Sequence, residues 1–393
     1  MGIVILLVII FIVSILLDFY IIRNVKALGS NKLVYTYIGI SFAITIVTII
    51  AILFPMINHG NGMLLFIWST FLFIISLLSR IGFSVLSLLG DLFGLIKKNK
   101  VRKCFKVLGL FLSGIIIASM IYGAFVTARI PKVYEYNLKI EKLPNSFNGI
   151  RIVQISDLHL GNLCNNSSLV ANVVYTINSL DPDLVVFTGD LVNSISTEAF
   201  FYKEQLSKIK AKYGVYSVLG NHDYGDYYKW KCDSLKSANL QQLKDFQSMC
   251  GWELLNNEHR IISNQCDSII VVGVENWGEF PFPQYGKLNE AYTNLNDSKF
   301  KILLTHNPVH WSVEVKGLTD IDLTLSGHTH AMQMELNLLG RKWSPSKYRY
   351  IEYAGMYNEN SQYLCVNRGI GFVGIPMRIG VNPEISLITI ECK

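Results

Sequence analysis

Long apolar segments dominate the first 130 residues of this 393-residue chain. They cover residues 3–22, 33–57, 63–96 and 107–128. Because about 20 apolar residues in a helix cross the bilayer core, the first, second and fourth segments each predict one transmembrane helix. The third segment is long enough to cross once and to continue as an amphipathic stretch at the interface. A retained first helix is favoured over a cleaved signal peptide, since no basic residue precedes it and further spans follow.

After residue 133 the pattern changes to short apolar runs separated by polar loops. Five runs predict buried strands that end in polar residues: IRIVQIS (150–156), DLVVFTGD (183–190), VYSVLGNHD (215–223), KILLTHNP (301–308) and IDLTLSGHTH (321–330). Helices are predicted between the first three strands, over 167–180 and from about Glu198 to Lys212. This alternation predicts βαβ units and a substantial sheet, and ligands of such sheets bind at the carboxyl ends of the strands.

Side chains with ligand-binding chemistry follow each of these strands. They are Asp157, His159, Asp190, Asn221, His222, His306, His328 and His330. One such residue alone would be an ordinary cap or surface group, but five strand ends with similar chemistry favour a single site. Imidazole and carboxylate groups without thiolates suit Mn, Fe or Zn. Even seven of these eight residues would be too many ligands for one ion, and they suit two ions that share a carboxylate.

The formal net charge of +6 is divided unevenly along the chain. Residues 1–130 hold eleven Lys and Arg but only two acids, hence +9, whereas the remaining residues are faintly acidic at −3. A nucleic-acid-binding protein would carry its basic patch on the working domain, so no nucleic-acid partner is expected. The basic residues of 23–32 and 97–106 favour a cytoplasmic position for these two loops. Four spans would then place the C-terminal domain outside the cytoplasm, in a multi-pass protein of the cell or inner membrane.

Taken in order, the strand-end motifs resemble the five motifs of the calcineurin-like metallophosphoesterases. They are DLH (157–159), GD (189–190), GNHD (220–223), His306 and GHTH (327–330). The stretch NRGIGFVGIPMRIG (367–380) also resembles the membrane-attached bacterial branch of that family, the YkuE- and YaeI-like phosphoesterases. That branch commonly has Gly-Gly-Gln after GHTH. This chain has Ala331, Met332 and Gln333 there. The change keeps the metal ligands and affects the shape of the nearby wall of the substrate site.

The resemblance implies an α/β fold, with an N-terminal four-helix transmembrane region followed by a four-layer α/β/β/α metallophosphoesterase sandwich. It divides the chain into a transmembrane anchor (1–130), a linker with the first strand (131–149) and the catalytic domain (150–393). The positions that match the family's metal ligands form two sets and a bridging residue: Asp157, His159 and His330; Asn221, His306 and His328; and Asp190 between the two ions. His222 would protonate the leaving oxygen, and Asp223 would orient its ring.

The implied activity is hydrolysis of a phosphodiester or phosphoanhydride by in-line attack of a hydroxide that bridges two metal ions. A short tether after the last span, with Arg129 and Lys132, favours a lipid or envelope substrate near the bilayer. The expected partners are therefore the lipid bilayer and a phosphorylated small molecule or lipid. Two alternatives stay open: a phosphomonoesterase or protein phosphatase, and a non-catalytic membrane sensor with a metal-binding domain.

Four further polar residues have alternative interpretations. Arg368 could contact a substrate phosphate through its planar guanidinium, or it could form a surface salt bridge. His310 is expected to be structural. His59 and His259 have no predicted partner.

The aromatic residues and the cysteines also leave alternatives open. The residues Tyr224, Tyr227, Tyr228 and Trp230 follow the GNHD motif directly. They predict either a rim that faces substrate or membrane, or a patch of the core. The six cysteines beyond residue 130 suit either disulfides or buried thiols.

Overall fold

The structure is a computed structural model, and it describes residues 2–26, 31–57, 63–94, 99–163, 165–280, 282–293, 295 and 298–393. The chain divides into two compact units. One consists of Met1–Ala124 with Gly374–Met377, and the other of Phe125–Val373 with Arg378–Lys393.

Four long helices form the N-terminal unit: α1 (Gly2–Lys26), α2 (Asn31–Ile57), α3 (Met63–Gly94) and α4 (Asn99–Phe125). Three described stretches are long and apolar enough to cross a membrane: Asn31–Ile52, Leu64–Gly94 and Lys100–Arg129. The basic loop predicted over 97–106 is wrong in part, because α4 already begins at Asn99. Lys and Arg have good helix propensity, so the basic residues extend the helix beyond its apolar part.

A charged pair lies inside the N-terminal unit. The guanidinium of Arg80 is 5% exposed and lies 2.8 Å from Asp18 Oδ1. Ser41 donates a hydrogen bond to Asp18 Oδ2 at 2.7 Å, and Tyr37 donates to the same carboxylate. Because an unpaired charge inside a bilayer is costly, this pairing across α1, α2 and α3 stabilises the helix bundle.

Two six-stranded sheets form the core of the second unit. The first contains, in spatial order, β1 (Lys132–Ile140), β14 (Glu384–Cys392), β2 (Ile150–Ile155), β3 (Leu184–Phe187), β4 (Val215–Ser217) and β5 (Trp252–Leu254). The second contains β12 (Gly355–Glu359), β13 (Gln362–Val366), β9 (Leu323–Ser326), β8 (Lys301–Leu304), β7 (Asp267–Gly273) and β6 (Glu258–Asn264). A separate hairpin pairs β10 (Leu336–Leu338) with β11 (Arg341–Trp343). Strands β2 to β5 run parallel, as do β7, β8, β9 and β13, so the carboxyl ends of each set lie at one edge.

The described helices of this unit are α5 (Ser167–Ser179), α6 (Thr197–Phe200), α7 (Lys203–Leu206), α8 (Asp233–Met249) and α9 (Leu288–Tyr292). Among them, only α5 and α8 are longer than five residues. The single helix predicted from Glu198 to Lys212 is wrong, because α6 and α7 are separate turns. Tyr202 lies between them with φ −98° and ψ 4°, outside the helical region, and its ring is fully buried.

Three apolar clusters hold the layers together. Alternate residues of a strand face opposite sides of its sheet: Val153 of β2 packs with α5, whereas Ile152 packs with the second sheet. On the outer face of the second sheet, Val272 packs with Trp311 and α9 residue Leu288. The layers therefore follow the order helices, sheet, sheet, helices. This confirms the predicted α/β/β/α sandwich preceded by a helical region.

Candidate metal centre

The loops after five strands bring the predicted ligands together. Asp157 and His159 follow β2, Asp190 follows β3, Asn221 and His222 follow β4, His306 follows β8, and His328 and His330 follow β9. Three triads have ligand atoms within 4.8 Å of one another: Asp157 with His159 and His330, His159 with Asp190 and His222, and Asp190 with His306 and His328. The set is mostly buried, and Asn221, His222 and His328 are its partly exposed members.

One group of ligand atoms surrounds His330. Its Nε2 lies 3.2 Å from Asp157 Oδ1 and 3.2 Å from His159 Nε2. The same nitrogen of His159 lies 3.5 Å from Asp190 Oδ2. These four atoms belong to the first predicted ligand set and its bridging residue.

A second group surrounds His306. Its Nε2 lies 3.2 Å from Asp190 Oδ2, 3.1 Å from Asn221 Oδ1 and 3.2 Å from His328 Nδ1. Asp190 Oδ2 is thus close to both groups, as a shared carboxylate oxygen must be.

The donor atoms fit divalent ions in both spacing and direction. Metal-bound N and O atoms about 2.0–2.2 Å from an ion lie about 3.0–3.6 Å from each other, the range observed in both groups. His159 Nδ1 donates to Asn193 Oδ1 at 3.1 Å, so its Nε2 presents a lone pair toward the nitrogen of His330. His306 Nδ1 donates to the Thr188 carbonyl at 2.8 Å, which likewise leaves Nε2 to face the centre. Such outer hydrogen bonds orient metal-binding imidazoles.

Burial and neighbouring charges set the protonation of the ligands. Burial lowers the pKa of His159 to about 3. Burial, together with the adjacent His306, also lowers the pKa of His328 to about 3. Burial alone would lower the pKa of His306, but the Asp190 carboxylate outweighs it and raises that pKa to about 9. Burial would raise the pKa of Asp190, yet the neighbouring imidazoles hold it well below its usual range. Ionised carboxylates and neutral imidazoles are the forms that bind metal.

Comparison with known proteins decides the family. A family model described as calcineurin-like phosphoesterase matches residues 150–332. A second model, described as the transmembrane domain of a probable calcineurin-like phosphoesterase, matches residues 2–128. A transmembrane protein with metallophosphoesterase domain from Danio rerio is 30% identical over 329 residues, which are 82% of this chain and 70% of that protein. The chain belongs to the calcineurin-like phosphoesterase family.

Two bacterial relatives of this calcineurin-like phosphoesterase are similar over most of their length. The uncharacterised metallophosphoesterase YkuE of Bacillus subtilis is 31% identical over 274 residues, 69% of this chain and 89% of the relative. The UDP-2,3-diacylglucosamine pyrophosphatase LpxG of Chlamydia trachomatis is 28% identical over 302 residues, 65% of this chain and 88% of the relative. The predicted resemblance is confirmed, and the chain is a metal-dependent phosphoric ester hydrolase with a transmembrane domain.

The phosphoesterase motifs combine strained backbone at the ligands with glycines where the ligand loops approach each other. Asp157, Asp190 and His328 have φ values of 52°, 61° and 72°, in the left-handed region that non-glycine residues seldom occupy. A Cβ on Gly220 would lie 2.2 Å from Asp190 Oδ1, and one on Gly327 would lie 2.3 Å from Asp157 Oδ2. The two glycines therefore let the ligand loops approach each other, and strained conformations of this kind cluster at functional sites.

The predicted role of Asp223 as the residue that orients His222 is wrong. The Asp223 side chain is fully buried and accepts hydrogen bonds from four backbone N–H groups. The donors and distances are Asp190 at 2.9 Å, Leu191 at 2.8 Å, Val192 at 3.2 Å and Gly220 at 2.9 Å. Asp223 thus ties the GD loop to the GNHD loop and acts on the site through the backbone.

Asn193, which the motif analysis missed, has the position that was expected of Asp223. Its carbonyl accepts from His222 Nδ1 at 2.7 Å, while its side-chain oxygen accepts from His159. The ring of His222 also lies edge-on to that of His159, with 4.8 Å between centroids. No sequence signal marks Asn193, since Asn in a polar loop after a strand is ordinary.

Arg378 is a second residue near the ligands for which the sequence motifs predict no role. It is fully buried, and its Nη2 donates to the carbonyls of Arg368, Gly369 and Gly371 at 3.0, 2.9 and 2.5 Å. The same nitrogen lies 3.4 Å from His330 Nδ1. Arg378 belongs to the stretch 367–380 that resembled the membrane-attached branch, and that resemblance was the available signal.

An open cavity of about 200 Å³ borders the metal centre. Its lining includes the predicted ligands Asn221 and His328 together with Phe282, Arg349 and Tyr350. The hydroxyl of Tyr350 lies 3.1 Å from His328 Nε2. The cavity therefore gives access to the partly exposed side of the ligand cluster.

The structure resolves most of the remaining alternatives among the polar candidates. Arg368 forms the salt bridge of the second alternative, 2.6 Å from Glu384. At 2% exposure it is buried and not at the surface, so the predicted phosphate contact is wrong. His310 is structural as expected: it is buried between Thr305 at 2.9 Å and Glu314 at 3.1 Å. His259 donates from Nδ1 to a backbone carbonyl at 2.9 Å, and His59 lies outside the described residues.

Of the aromatic residues that follow the GNHD motif, one belongs to the core and another faces the site. Tyr224 is buried and stacks on Tyr285 with 3.9 Å between centroids, so it belongs to the core. Tyr227 lies beside the His222 ring at 4.6 Å and accepts a hydrogen bond from Asn221 at 2.9 Å, so it faces the site. The described cysteines are free thiols, and Cys164 lies outside the described residues.

Proposed function

We propose that this calcineurin-like phosphoesterase binds two divalent ions and hydrolyses phosphodiesters or phosphoanhydrides. The proposal rests on the position of Asp190 Oδ2. This oxygen lies 3.5 Å from His159 Nε2 in one ligand group and 3.2 Å from His306 Nε2 in the other. Asp157, His159 and His330 would hold one ion, and Asn221, His306 and His328 the other. When bound, Mn, Fe or Zn would polarise the phosphoryl oxygens and activate water.

His222 is the proposed proton donor to the leaving oxygen. The Asn193 carbonyl holds its Nδ1–H at 2.7 Å, so Nε2 is the atom that would deliver a proton. The residue is partly exposed, beside a buried ligand cluster. A His222 nitrogen also lies within 4.8 Å of ligand atoms of His159 and Asp190, so the test must separate proton transfer from metal binding.

A lipid or other membrane-associated phosphate is the proposed substrate class. Six residues lie between the end of α4 at Phe125 and the start of β1 at Lys132. Such a short connection limits how far the second unit, the proposed catalytic unit, can lie from a bilayer that the helices would occupy. A relative named as a pyrophosphatase of UDP-2,3-diacylglucosamine, a lipid-bearing phosphoanhydride, supports the same class.

The catalytic unit is proposed to lie outside the cytoplasm. Residues 97–106 contain six Lys and Arg, and such clusters near a span resist translocation. The next span would then carry the chain to the outer side.

Hydrolysis by the purified full-length chain tests the proposal. With Mn present, bis-p-nitrophenyl phosphate and a lipid phosphoanhydride such as CDP-diacylglycerol should be cleaved at least tenfold faster than p-nitrophenyl phosphate. Metal analysis should find two ions per chain, and Asp190→Ala should reduce this number to one or none. Preferred cleavage of the monoester would instead support the monoesterase alternative. Two bound ions without hydrolysis of any substrate would support the sensor alternative.

A further inference from the structure

A basic and apolar surface lies beside the cavity of the catalytic unit. Residues 336–351 contain four Lys and Arg and no Asp or Glu. We call its exposed side chains the rim: Leu339, Arg341, Lys342, Lys347, Tyr348 and Ile351. Its apolar members protrude strongly, with Leu339 fully exposed, Ile351 86% exposed and Tyr348 76% exposed. Several strongly exposed apolar side chains within one segment of 16 residues are typical of an interaction surface.

The tip of the rim carries a leucine at a position that disfavours it. Leu338 pairs with Arg341 across the β10–β11 hairpin, so Leu339 and Gly340 form a two-residue turn. Their φ values are 52° and 83°, both in the left-handed region that Asn and Gly occupy at low cost. Leu339 pays for this conformation and for exposure to water without packing against the fold. The two-residue turn sets the backbone conformation, and an external apolar environment explains the exposed side chain.

Hydrogen bonds connect the rim to the metal centre. Trp343 Nε1 lies 3.3 Å from the Tyr348 hydroxyl and joins the hairpin to the next turn. Ser344 donates to the Ala331 carbonyl at 2.8 Å, directly after the predicted ligand His330. Arg349, at the end of the same turn, lies 2.7 Å from Glu279 and lines the cavity. Arg349 and Tyr350, which line the cavity, lie in the chain between the rim residues Tyr348 and Ile351. This end of the rim therefore adjoins the opening through which a substrate would reach the ligands.

The chemistry of the rim fits an anionic bilayer surface. Lys342 is 3.5 Å from Glu335, but within the described ranges neither Arg341 nor Lys347 takes part in an ion pair. Basic residues near an anionic leaflet each strengthen membrane binding about fivefold, and aliphatic and Tyr side chains between them suit the headgroup boundary. Phe280, next to Glu279 and 97% exposed, extends the apolar surface. The bilayer is also the partner already present, because the same chain has membrane-spanning helices.

We propose that the rim lies in the headgroup region of an anionic bilayer and presents the cavity of the metal centre to phosphate groups at that surface. The lipid-substrate part rests on the proposed function. The bilayer contact does not require catalysis, so the two are tested separately.

Spin-label accessibility in the full chain tests the contact. The protein, with Cys104, Cys232 and Cys266 replaced by Ser, is reconstituted into vesicles of phosphatidylglycerol and phosphatidylcholine. A nitroxide placed by Leu339→Cys or Ile351→Cys should collide more often with oxygen than with nickel-EDDA. The control Tyr175→Cys, on a 74% exposed residue of α5, should show the reverse. Aqueous accessibility at both rim sites, or burial from both reagents as in a protein interface, would overturn the proposal.

An activity comparison provides the second arm. Leu339→Asp and Ile351→Asp should lower turnover of a vesicle-embedded lipid phosphoester at least tenfold and leave that of soluble bis-p-nitrophenyl phosphate within twofold. Equal turnover of the lipid by wild type and both variants would contradict a role in substrate access. If no phosphoester is cleaved, the proposed function fails, while the spin-label result still decides the bilayer contact.

Discussion

The carboxylate of Asp223 accepts a hydrogen bond of 2.9 Å from the backbone N–H of Asp190, a residue 33 positions earlier in the chain. Through this bond and three others, a residue outside the ligand set holds the proposed bridging ligand in a left-handed conformation with φ 61°. The proposed metal centre therefore depends on a buried carboxylate that lies outside the ligand set and supports the backbone of two loops.

We expect Asp223→Asn to destabilise the protein and to lower metal content. The amide has one acceptor oxygen in place of two, and its NH₂ group would face backbone donors. Each buried donor left without a partner costs about 1–3 kcal/mol. Thermal unfolding and metal analysis measure both effects. Unchanged thermal stability and metal content would contradict this supporting role of Asp223.

His222→Ala should reduce turnover about 10²–10⁴-fold, the usual contribution of a general acid, and leave metal content close to normal. The effect should be largest for substrates with poor leaving groups, which need protonation most. His328→Ala is the matched variant and should lose metal and activity together. If His222→Ala also lost metal, His222 would be a ligand.

Metal binding should release one proton at pH 7. The pKa of His306 is about 9 without metal, so its ring is protonated until a metal ion displaces the proton. Apparent metal affinity should then rise about tenfold per pH unit up to about pH 9. Calorimetric titration in two buffers with different ionisation enthalpies counts the protons. Release of none, with an affinity that does not change from pH 7 to 9, would contradict this assignment.

The raised pKa also predicts how His306 affects the stability of the metal-free protein. Its folded pKa of about 9 exceeds the ordinary histidine value of 6.5, so its stabilising contribution is complete below about pH 6.5 and is lost as the pH rises through 9. His306→Gln in the metal-free protein should remove this loss between pH 6.5 and 9. Denaturant unfolding at several pH values measures it, with His310→Gln as the control for a buried histidine outside the site.

Met332→Gly should stabilise the protein. Ala331 and Met332 have φ values of 49° and 46° where the related branch commonly has two glycines, and the left-handed region costs about 1–2 kcal/mol for a residue with a Cβ. Met332 is 46% exposed, so little packing is lost. The flexibility of glycine offsets part of the gain, which leaves about 1 kcal/mol in denaturant unfolding. Met332→Ala keeps the Cβ and should show no gain; equal effects of both variants would exclude strain as the cause.

A reporter fused after Lys393 should be active only outside the cytoplasm. The six basic residues of 97–106 motivate this orientation. Protease added to intact spheroplasts should accordingly digest the catalytic unit. Replacing the six residues by Gln should increase the inverted fraction, and a wild-type reporter active in the cytoplasm would reverse the assignment.

Local residue patterns were enough to predict the long N-terminal helices, the strands that carry the candidate ligands and the chemical types of those ligands. Uncharged apolar runs such as 33–57 and 107–128 indicate long helices because burial of their side chains requires an apolar environment on every side. The β-branched runs that end in DLH, GD and GHTH indicate strands with polar ends. Those signals are local, since each strand signal lies within about ten consecutive residues and each helix signal within one run of about 25 residues.

The residues that support the ligands depend on how the two sheets pack, which the residue patterns do not show. His222 bonds to Asn193, 29 positions away, and not to its neighbour Asp223. Arg368 is buried against Glu384, although nothing in NRGIG distinguishes a buried arginine from one that binds phosphate. A buried polar group must bond to whatever donor or acceptor the packed sheets place beside it. That partner is set by the register and stacking of strands far apart in the chain, which local residue patterns do not encode.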